Sequence, residues 1–114
     1  MYLLGYDIGS SSIKVALVKA ENGAVVEVVQ HPATELGMIA HHPGWAEQHP
    51  ETWWDSLCQA TQMLLKSKGI STKEIASIGI AYQMHGLVLV DENQKVLRPS
   101  IIWCDSRAVE IGNR

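Results

Sequence analysis

The chain has 114 residues, a net charge of −3 at pH 7, 46% hydrophobic residues and 18% charged residues. This length suits one domain that buries about two-thirds of the surface of its unfolded form. The acidic balance argues against a nucleic-acid partner, which needs a basic surface, and no apolar run is long enough to span a membrane.

The N-terminus lacks the order of basic, apolar and small residues that marks a signal peptide. The two cysteines, Cys58 and Cys104, have neither the spacing of a zinc site nor that of a disulfide framework. We therefore expect a cytoplasmic protein.

The first segment predicts a strand that ends in a polar turn. The apolar run Leu3–Ile8 carries one carboxylate, Asp7, next to its end, and Gly9–Ser12 follow it. The segment Ile13–Val18, which includes Lys14, is rich in β-branched residues and predicts a second strand. The turn therefore joins two antiparallel strands, with Asp7 at its mouth.

The composition of this turn suits a metal-bound phosphate. Mg²⁺ in proteins binds one or two carboxylates together with water and phosphate oxygens. Asp7 is therefore the expected Mg²⁺-binding residue, with a water molecule between the carboxylate and the ion. A glycine lets a phosphate approach the backbone, and successive turn N–H groups form an anion-binding concavity. The phosphate-binding candidates are Gly9, Ser10, Ser11, Ser12 and Lys14. Two plainer interpretations stay open: a polar hairpin turn with a solvated Asp7, and a solvated strand lysine at Lys14.

The next elements complete an antiparallel meander and lead into a loop. Asn22 and Gly23 lie between two strand-forming runs and predict a two-residue hairpin turn in which both residues have positive φ. The third strand is Val25–Val29. The loop from Pro32 to Pro50 is long enough to indicate a functional role.

A long helix and a fourth strand follow. Pro50 is favoured at the first helical position, and Gly69 is typical of a C-terminal cap. Ser71–Glu74 has the pattern of a capping box for a short helical turn, and Ile75–Tyr82 predicts a strand. Helical spacing predicts a buried stripe that consists of Trp53, Leu57, Ala60 and Leu64. One face of the strand is predicted to carry Ile78, Ile80 and Tyr82.

The last third of the chain predicts a small hairpin and a closing helix. Leu87–Val90 and Lys95–Leu97 flank a polar turn, and a proline ends the hairpin. The segment Ile101–Trp103 is then predicted to be extended. Asp105 or Ser106 is the expected N-cap of a short C-terminal helix.

The order β-β-β-α-β is that of the opening of the ribonuclease-H-like fold, which actin, the seventy-kilodalton chaperones and sugar kinases share. We therefore expect an α/β fold: a partial ribonuclease-H-like domain of the actin-like ATPase superfamily, then a small β-hairpin and a short C-terminal helix. The crossover helix makes the fourth strand parallel to the first. This places Asp7 beside Gln83–Gly86 at neighbouring strand ends, where open α/β sheets bind ligands.

Four motifs occur in an order that resembles a known family. They are Asp7–Lys14, Gly44–Pro50, Gln83–Gly86 and Trp103–Arg107. Together they resemble the N-terminal part of the FGGY carbohydrate kinases and, within that family, the xylulokinases, over essentially all 114 residues. The Asp7–Lys14 motif alone is similar to the first phosphate motif of the actin-like ATPases.

The resemblance implies that residues 1–114 are the N-terminal portion of the first domain of a kinase. In this family ATP, with Mg²⁺, phosphorylates a sugar hydroxyl, and D-xylulose becomes its 5-phosphate. The family's general-base aspartate, adenosine-binding segments and second domain would lie beyond this segment, so we expect no turnover from the 114 residues alone.

The resemblance also implies roles for single residues. Asp7 is the implied catalytic and metal-binding residue, and the turn binds the phosphates of ATP. The implied sugar-binding residues are Gln83, Met84, His85, Gly86, Trp103, Asp105 and Arg107. Other interpretations stay open: a core histidine at His85, a helix cap and surface ion pair at Asp105 and Arg107, and a loop pinned by Trp45 and Glu47 instead of a sugar pocket shaped by them.

Rival functions remain at this point. One is an FGGY kinase for another polyol, and a second is an actin- or chaperone-like nucleotide-binding module without sugar chemistry. A third is an assembly or ligand-binding piece. The predicted partners are a sugar, D-xylulose, and further copies of the chain, which would associate through an exposed sheet edge or by exchange of the segment Pro99–Arg114.

Overall fold

A computed structural model of the chain describes residues 1–114 and shows a four-stranded sheet with one long helix on its face. The strands are β1 (Tyr2–Ile8), β2 (Ile13–Lys19), β3 (Val25–His31), β4 (Glu47–Gln48), β5 (Ile75–Tyr82) and β6 (Ser100–Ile101). The helices are α1 (Pro50–Lys68), a short 3₁₀ helix (Thr72–Glu74) and α2 (Val109–Gly112). The strand order is β3-β2-β1-β5, with β1 parallel to β5 and the other pairs antiparallel. The predicted β-β-β-α-β arrangement is confirmed.

The first hairpin forms, but its predicted turn type is wrong. Among the turn residues only Gly23 has a positive φ, at 73°. The N–H groups of Lys19 and Gly23 donate to the carbonyls of Ala24 and Lys19, both over 2.9 Å, so residues 20–23 form a wider loop. The Asn22 side-chain oxygen accepts the Ala24 N–H over 2.9 Å. This local bond favours an Asx-type turn, in which Asn22 needs no left-handed backbone.

The main core lies between the sheet and α1. Its buried members are Leu4, Tyr6, Val15, Leu17, Ala60 and Leu64. The strand members alternate along the chain, and the period of two places them on one face of the sheet. The hydroxyls of Tyr6 and Thr61 share a hydrogen bond of 2.7 Å. Three members of the predicted helix stripe are confirmed, because Ala60 and Leu64 are buried and Leu57 is partly buried in this core; the fourth, Trp53, is partly buried but is not among the core residues.

The ends of α1 agree with the sequence. The helix starts at Pro50, and Gly69 follows its last residue with a left-handed φ of 63°. The capping box is also confirmed, since the Glu74 carboxylate accepts the Ser71 N–H over 2.8 Å at the start of the 3₁₀ helix. No helix of the chain combines the length and apolar character needed to cross a membrane.

The second hairpin forms with little regular pairing. A single bridge joins Val90 to Val96, and the Asp91 N–H donates to the Lys95 carbonyl over 2.9 Å. Gln94 turns the chain with a φ of 62°. The apolar side chains of this hairpin are roughly half exposed. Little packing therefore supports a longer run of paired residues between its two strands.

A second, small sheet consists of β4 and β6. It pairs Glu47 with Ile101 and Gln48 with Ser100 in antiparallel register. The extended segment that was predicted to reach Trp103 is shorter, because β6 ends at Ile101 and a turn follows. This small sheet ties the loop before α1 to the C-terminal segment.

The N-cap prediction for Asp105 or Ser106 is wrong. Helix α2 begins later, and its N-cap, Ala108, makes no side-chain capping bond. The Asp105 carboxylate instead accepts the Ala46 N–H over 2.7 Å, and the Ser106 hydroxyl donates to the Gly44 carbonyl over 3.2 Å. The Ala46 and Gly44 partners come from a loop distant in sequence. The Asp105 carboxylate also accepts the local Arg107 N–H over 2.8 Å, but neither side chain bonds to a residue of α2.

β5 is an edge strand of the main sheet. Its apolar side chains Ile78, Ile80 and Tyr82 are 55%, 58% and 71% exposed. Ile78 and Ile80 line a groove of about 430 Å³ beside α1, which contributes Trp54 and Leu57. One face of β5 and its outer row of backbone groups are therefore uncovered.

Candidate functional site

An acidic and a basic side chain lie together where β1 ends and β2 begins. Asp7 lies opposite Lys14 in the antiparallel register, and both side chains are exposed. Tyr6 and Val15, their neighbours in sequence, point into the core under α1. Because strand side chains alternate, Asp7 and Lys14 share the sheet face that α1 does not cover.

The turn between β1 and β2 exposes backbone donors. The Gly9 N–H donates to the Ser12 carbonyl over 3.1 Å and closes the turn. The N–H groups of Ser10, Ser11 and Ser12 donate to no atom of the chain. A Cβ at Gly9 would lie 3.1 Å from the Ser12 carbonyl oxygen, which explains why this tight turn has a glycine there. The turn therefore offers three free donors beside Asp7.

Two neighbouring groups fix the orientation of these donors. The Ser10 carbonyl accepts a bond of 2.6 Å from the side-chain nitrogen of Gln48, and the Ser11 carbonyl accepts one of 2.6 Å from the Leu36 N–H. In a planar trans peptide the C=O and the following N–H point in opposite directions. The N–H groups of Ser11 and Ser12 therefore point away from Gln48 and Leu36. This is the arrangement of an anion-binding concavity.

The segment after β5 adjoins the end of β1, as predicted. The Gln83 N–H donates to the Ile8 carbonyl over 3.2 Å. Next along the chain, the Met84 side chain is 68% exposed and His85 has a left-handed φ of 66°. A non-glycine residue in this region carries strain of about 1–3 kcal/mol, which is found most often at functional sites. Because His85 is exposed, the core-histidine alternative does not apply.

The side chain of Gln83 has unused hydrogen-bonding capacity. Its amide nitrogen and oxygen are both buried, and neither bonds to another atom of the chain. Buried amides are nearly always hydrogen-bonded, so this side chain suits a partner with hydroxyl groups, which both donate and accept.

Trp103 brings the two halves of the candidate site together. Its indole nitrogen donates to the Ser10 hydroxyl over 3.0 Å, although 60% of its surface is exposed. The Leu87 N–H donates to the Ile101 carbonyl over 2.9 Å, so the segment that carries Met84 and His85 lies alongside the segment that leads to Trp103. An exposed aromatic face thus borders the turn and its free donors.

Asp105 and Arg107 form a buried cluster with Glu47. The Arg107 guanidinium bonds to the Asp105 carboxylate over 2.7 Å and to the Glu47 carboxylate over 3.0 Å. Arg98 also pairs with Glu47, and Arg107 stacks 3.8 Å above the Trp45 ring. The Asp105 side chain is 2% exposed and that of Glu47 is 6% exposed. This cluster pins the loop before α1 to the C-terminal segment.

The charges of this cluster are mutually stabilising. The hydrogen bond from Arg107 lowers the pKa of Asp105 from 3.8 to about 2, against the effect of burial. Burial raises the pKa of Glu47, but the hydrogen bond from Arg107 and the charges of Arg98 and Arg107 outweigh it, so that the pKa is lowered overall. Both carboxylates are therefore ionised at neutral pH.

The structure separates the predicted site residues into two groups. The first group lies together at the strand ends and consists of Asp7, Gly9–Ser12, Lys14, Gln83–Gly86 and Trp103. Asp105 and Arg107 lie in the cluster behind Trp103, with their polar atoms bonded to Ala46, Glu47 and each other.

Sequence reasoning missed Gln48. It belongs to the Gly44–Pro50 motif, but its partner Ser10 is 38 positions away. No local pattern marks such a contact.

Residues 2–114 match the family model described as the N-terminal domain of the FGGY family of carbohydrate kinases. The chain is 41% identical over 112 residues to xylulose kinase of Escherichia coli (strain K12), which covers 96% of the chain and 21% of that relative. It is 37% identical over 113 residues to L-xylulose/3-keto-L-gulonate kinase of the same strain, covering 99% of the chain and 22% of that relative.

A solved structure shows the same fold. The crystal structure of a xylulose kinase from Brucella ovis superposes with a TM-score of 0.87 at 35% identity, and the match covers 97% of the chain and 23% of that protein. The chain spans about a fifth of the length of the curated relatives it matches. The expected ribonuclease-H-like α/β fold is confirmed by this similarity.

Proposed function

The chain belongs to the FGGY family of carbohydrate kinases, and we propose that it serves ATP-dependent phosphorylation of a ketopentose, with D-xylulose as the substrate. The single observation that supports this most is the contact between Trp103 and Ser10. It joins an exposed aromatic surface, suited to a sugar, to a turn with free donors, suited to a phosphate.

We assign the phosphate end of the reaction to the turn between β1 and β2. The free N–H groups of Ser10, Ser11 and Ser12 can donate hydrogen bonds to phosphate oxygens of ATP, and Lys14 adds a positive charge opposite Asp7. Asp7 is the exposed carboxylate that would hold Mg²⁺, through water. When bound, Mg²⁺ neutralises charge on the transferring phosphoryl group.

We assign the sugar end to the segment after β5 and to Trp103. The Gln83 amide can exchange hydrogen bonds with sugar hydroxyls, and the His85 imidazole and the backbone groups of the exposed residues Met84 and Gly86 add further polar groups. Trp103 supplies an apolar wall. Asp105 and Arg107 are engaged elsewhere, so their proposed contribution to sugar binding is to hold the segment that carries Trp103.

The whole protein would supply what these residues do not. The chain spans about a fifth of the length of its curated relatives, and phosphoryl transfer depends on several parts acting together, so we assign the general base that takes the proton of the reacting hydroxyl to a segment outside residues 1–114. We propose that residues 1–114 are the N-terminal portion of the first domain of a longer kinase, since the matching family model describes an N-terminal domain. Its use of ATP suggests a cytoplasmic location.

The test is an ADP-release assay on the full-length protein with Mg-ATP. We expect turnover that depends on D-xylulose and is lost in Asp7→Ala. The 114-residue chain alone should show none, and activity of that chain that Asp7→Ala abolishes would contradict this. ATP hydrolysis without any response to sugars would instead favour an actin- or chaperone-like module.

A second sugar is supported by one comparison. The 37% identity to L-xylulose/3-keto-L-gulonate kinase is close to the identity with the xylulose kinase. L-xylulose therefore belongs in the same assay, and a higher kcat/KM for it than for D-xylulose would reassign the substrate within the same reaction.

We also propose that the 114-residue chain self-associates. The outer edge of β5 is unpaired, and its apolar face is exposed beside the groove at α1. Unpaired strand edges with apolar side chains pair readily with another chain.

A further inference from the structure

We propose that Gln48 is a positioning residue for the phosphate-binding turn. Its side chain is buried, with 2% of the residue exposed. The side-chain nitrogen donates to the Ser10 carbonyl over 2.6 Å and to the Gly37 carbonyl over 3.2 Å, and the side-chain oxygen accepts the Trp53 indole N–H over 3.0 Å. The proposal rests on the proposed function, because it names a residue that orients the phosphate site.

The orientation of this amide is determined by its partners. An indole N–H can only donate, so the atom that faces Trp53 must be the oxygen. The NH₂ group then faces the two carbonyls, and both of its protons are used. Gln48 therefore acts as a donor toward the turn and cannot reverse without leaving all three of its partners unpaired.

The bond to Ser10 has a direct consequence for the turn. It fixes the peptide between Ser10 and Ser11, and the N–H of Ser11 points in the opposite direction to the held carbonyl. That N–H bonds to no atom of the chain. Gln48 thus orients one of the three donors that face the phosphate site without touching the ligand itself.

The anchor is rigid because Gln48 joins several elements. Its backbone pairs with Ser100 in the small sheet, its amide oxygen is fixed by Trp53 in α1, and its nitrogen also bonds to Gly37 in the preceding loop. A side chain held from three sides can fix a distant peptide within a fraction of an ångström. Displacements of about 1 Å in a catalytic site cost about 100-fold in rate.

The test compares two variants of the full-length protein. Gln48→Met keeps the volume and removes all three hydrogen bonds, whereas Trp53→Phe removes only the bond to the amide oxygen and leaves the Ser10 carbonyl held. For Gln48→Met we expect kcat to fall by about 10- to 100-fold and the KM for Mg-ATP to rise, with the KM for the sugar within about twofold. Trp53→Phe leaves the bond to the Ser10 carbonyl in place, so its loss in kcat should be clearly smaller than that of Gln48→Met, even if it lowers the melting temperature.

Equilibrium binding of Mg-ATP, measured by calorimetry without sugar, separates this proposal from the proposed function. Binding that is weakened clearly more in Gln48→Met than in Trp53→Phe supports the positioning role, whether or not the protein phosphorylates a sugar. Wild-type kcat and Mg-ATP affinity in Gln48→Met, or equal losses in both variants, would overturn it. A wild type that neither binds Mg-ATP nor turns over would overturn both proposals. If Gln48→Met fails to fold, Gln48→Asn, which shortens the same amide, takes its place.

Discussion

The indole N–H of Trp103 donates to the hydroxyl of Ser10 over 3.0 Å, across 93 positions of sequence. Ser10 belongs to the turn assigned to phosphate, and Trp103 to the surface assigned to sugar. As an acceptor, the Ser10 hydroxyl keeps its own proton free to donate. The two halves of the proposed site are therefore in physical contact, and substitutions of Ser10 and Trp103 should not act independently.

This contact predicts coupling in a double-mutant cycle. Ser10→Ala and Trp103→Phe each remove the bond, so the double variant should lose less than the sum of the single losses in kcat/KM. We expect an interaction free energy of about 0.5–1.5 kcal/mol, the usual net value of one hydrogen bond. Steady-state kinetics of the full-length protein measure it, and strictly additive losses would contradict the coupling.

Asp7→Asn should reduce kcat far more than it changes the KM for the sugar. A carboxylate that organises Mg²⁺ and the transferring phosphate acts mainly on the transition state, where such losses reach about 10²–10³-fold. Glu92→Gln, which neutralises an exposed carboxylate in the second hairpin, is the matched control and should retain wild-type kinetics. A normal kcat in Asp7→Asn would mean that the turn is a plain hairpin.

His85 tests the sugar end of the site. His85→Ala should raise the KM for the sugar by about three- to tenfold through the loss of one hydrogen bond, with a smaller effect on kcat. Alanine is strained at a φ of 66°, so His85→Asn is the control, because asparagine tolerates this backbone. A raised KM in both variants assigns the effect to the imidazole. If His85→Asn behaves like the wild type, the imidazole makes no contact with the sugar.

The sequence predicted the elements whose signals are local. Alternating β-branched residues gave the strands, and Pro50, Gly69 and the Ser71–Glu74 box marked the helix ends. It also placed Asp7 beside Gln83–Gly86, because a single crossover helix leaves one arrangement of the two parallel strands.

The error at Asp105 and the omission of Gln48 arise where a distant partner competes with a local one. Asp105 is a residue type favoured at an N-cap, but one oxygen of its carboxylate accepts the Ala46 N–H, 59 positions away, and α2 begins later in the chain. Gln48 holds the turn through Ser10, and nothing near it in sequence indicates this. Asn22 lies closer to its partner, yet its side-chain bond to Ala24 was enough to change the turn type.

The Asp105 cluster predicts a loss of stability in acid. The pKa of Asp105 is lowered from 3.8 to about 2 in the folded chain by the bond from Arg107, so its contribution to stability is complete above about pH 4 and is lost as the pH falls through about 2. Urea unfolding, followed by tryptophan fluorescence from about pH 5 to about pH 2, should show the midpoint falling in this window. Asp105→Asn should flatten that fall, whereas Glu92→Gln should not. If the urea midpoint of Asp105→Asn falls with pH as steeply as that of the wild type, the acid sensitivity belongs to other groups.

Self-association of the 114-residue chain should proceed through β5. The segment Pro99–Arg114 is docked against the loop before α1, where the Ser106 N–H donates to the Gly44 carbonyl over 2.8 Å. It therefore covers neither the outer edge of β5 nor the groove beside α1. Association by pairing of β5 edges is accordingly favoured over exchange of this segment between chains. Light scattering at about 100 μM, within the micromolar to millimolar range in which unpaired strand edges associate, should give a mass above that of the monomer. Ile80→Lys places a charge on the exposed face of β5 and should restore the monomer, whereas Val28→Lys, on the opposite edge strand β3, should not. A monodisperse monomer of the wild-type chain at that concentration would contradict the proposal, and equal rescue by both lysines would assign the association to general loss of apolar surface instead of to β5.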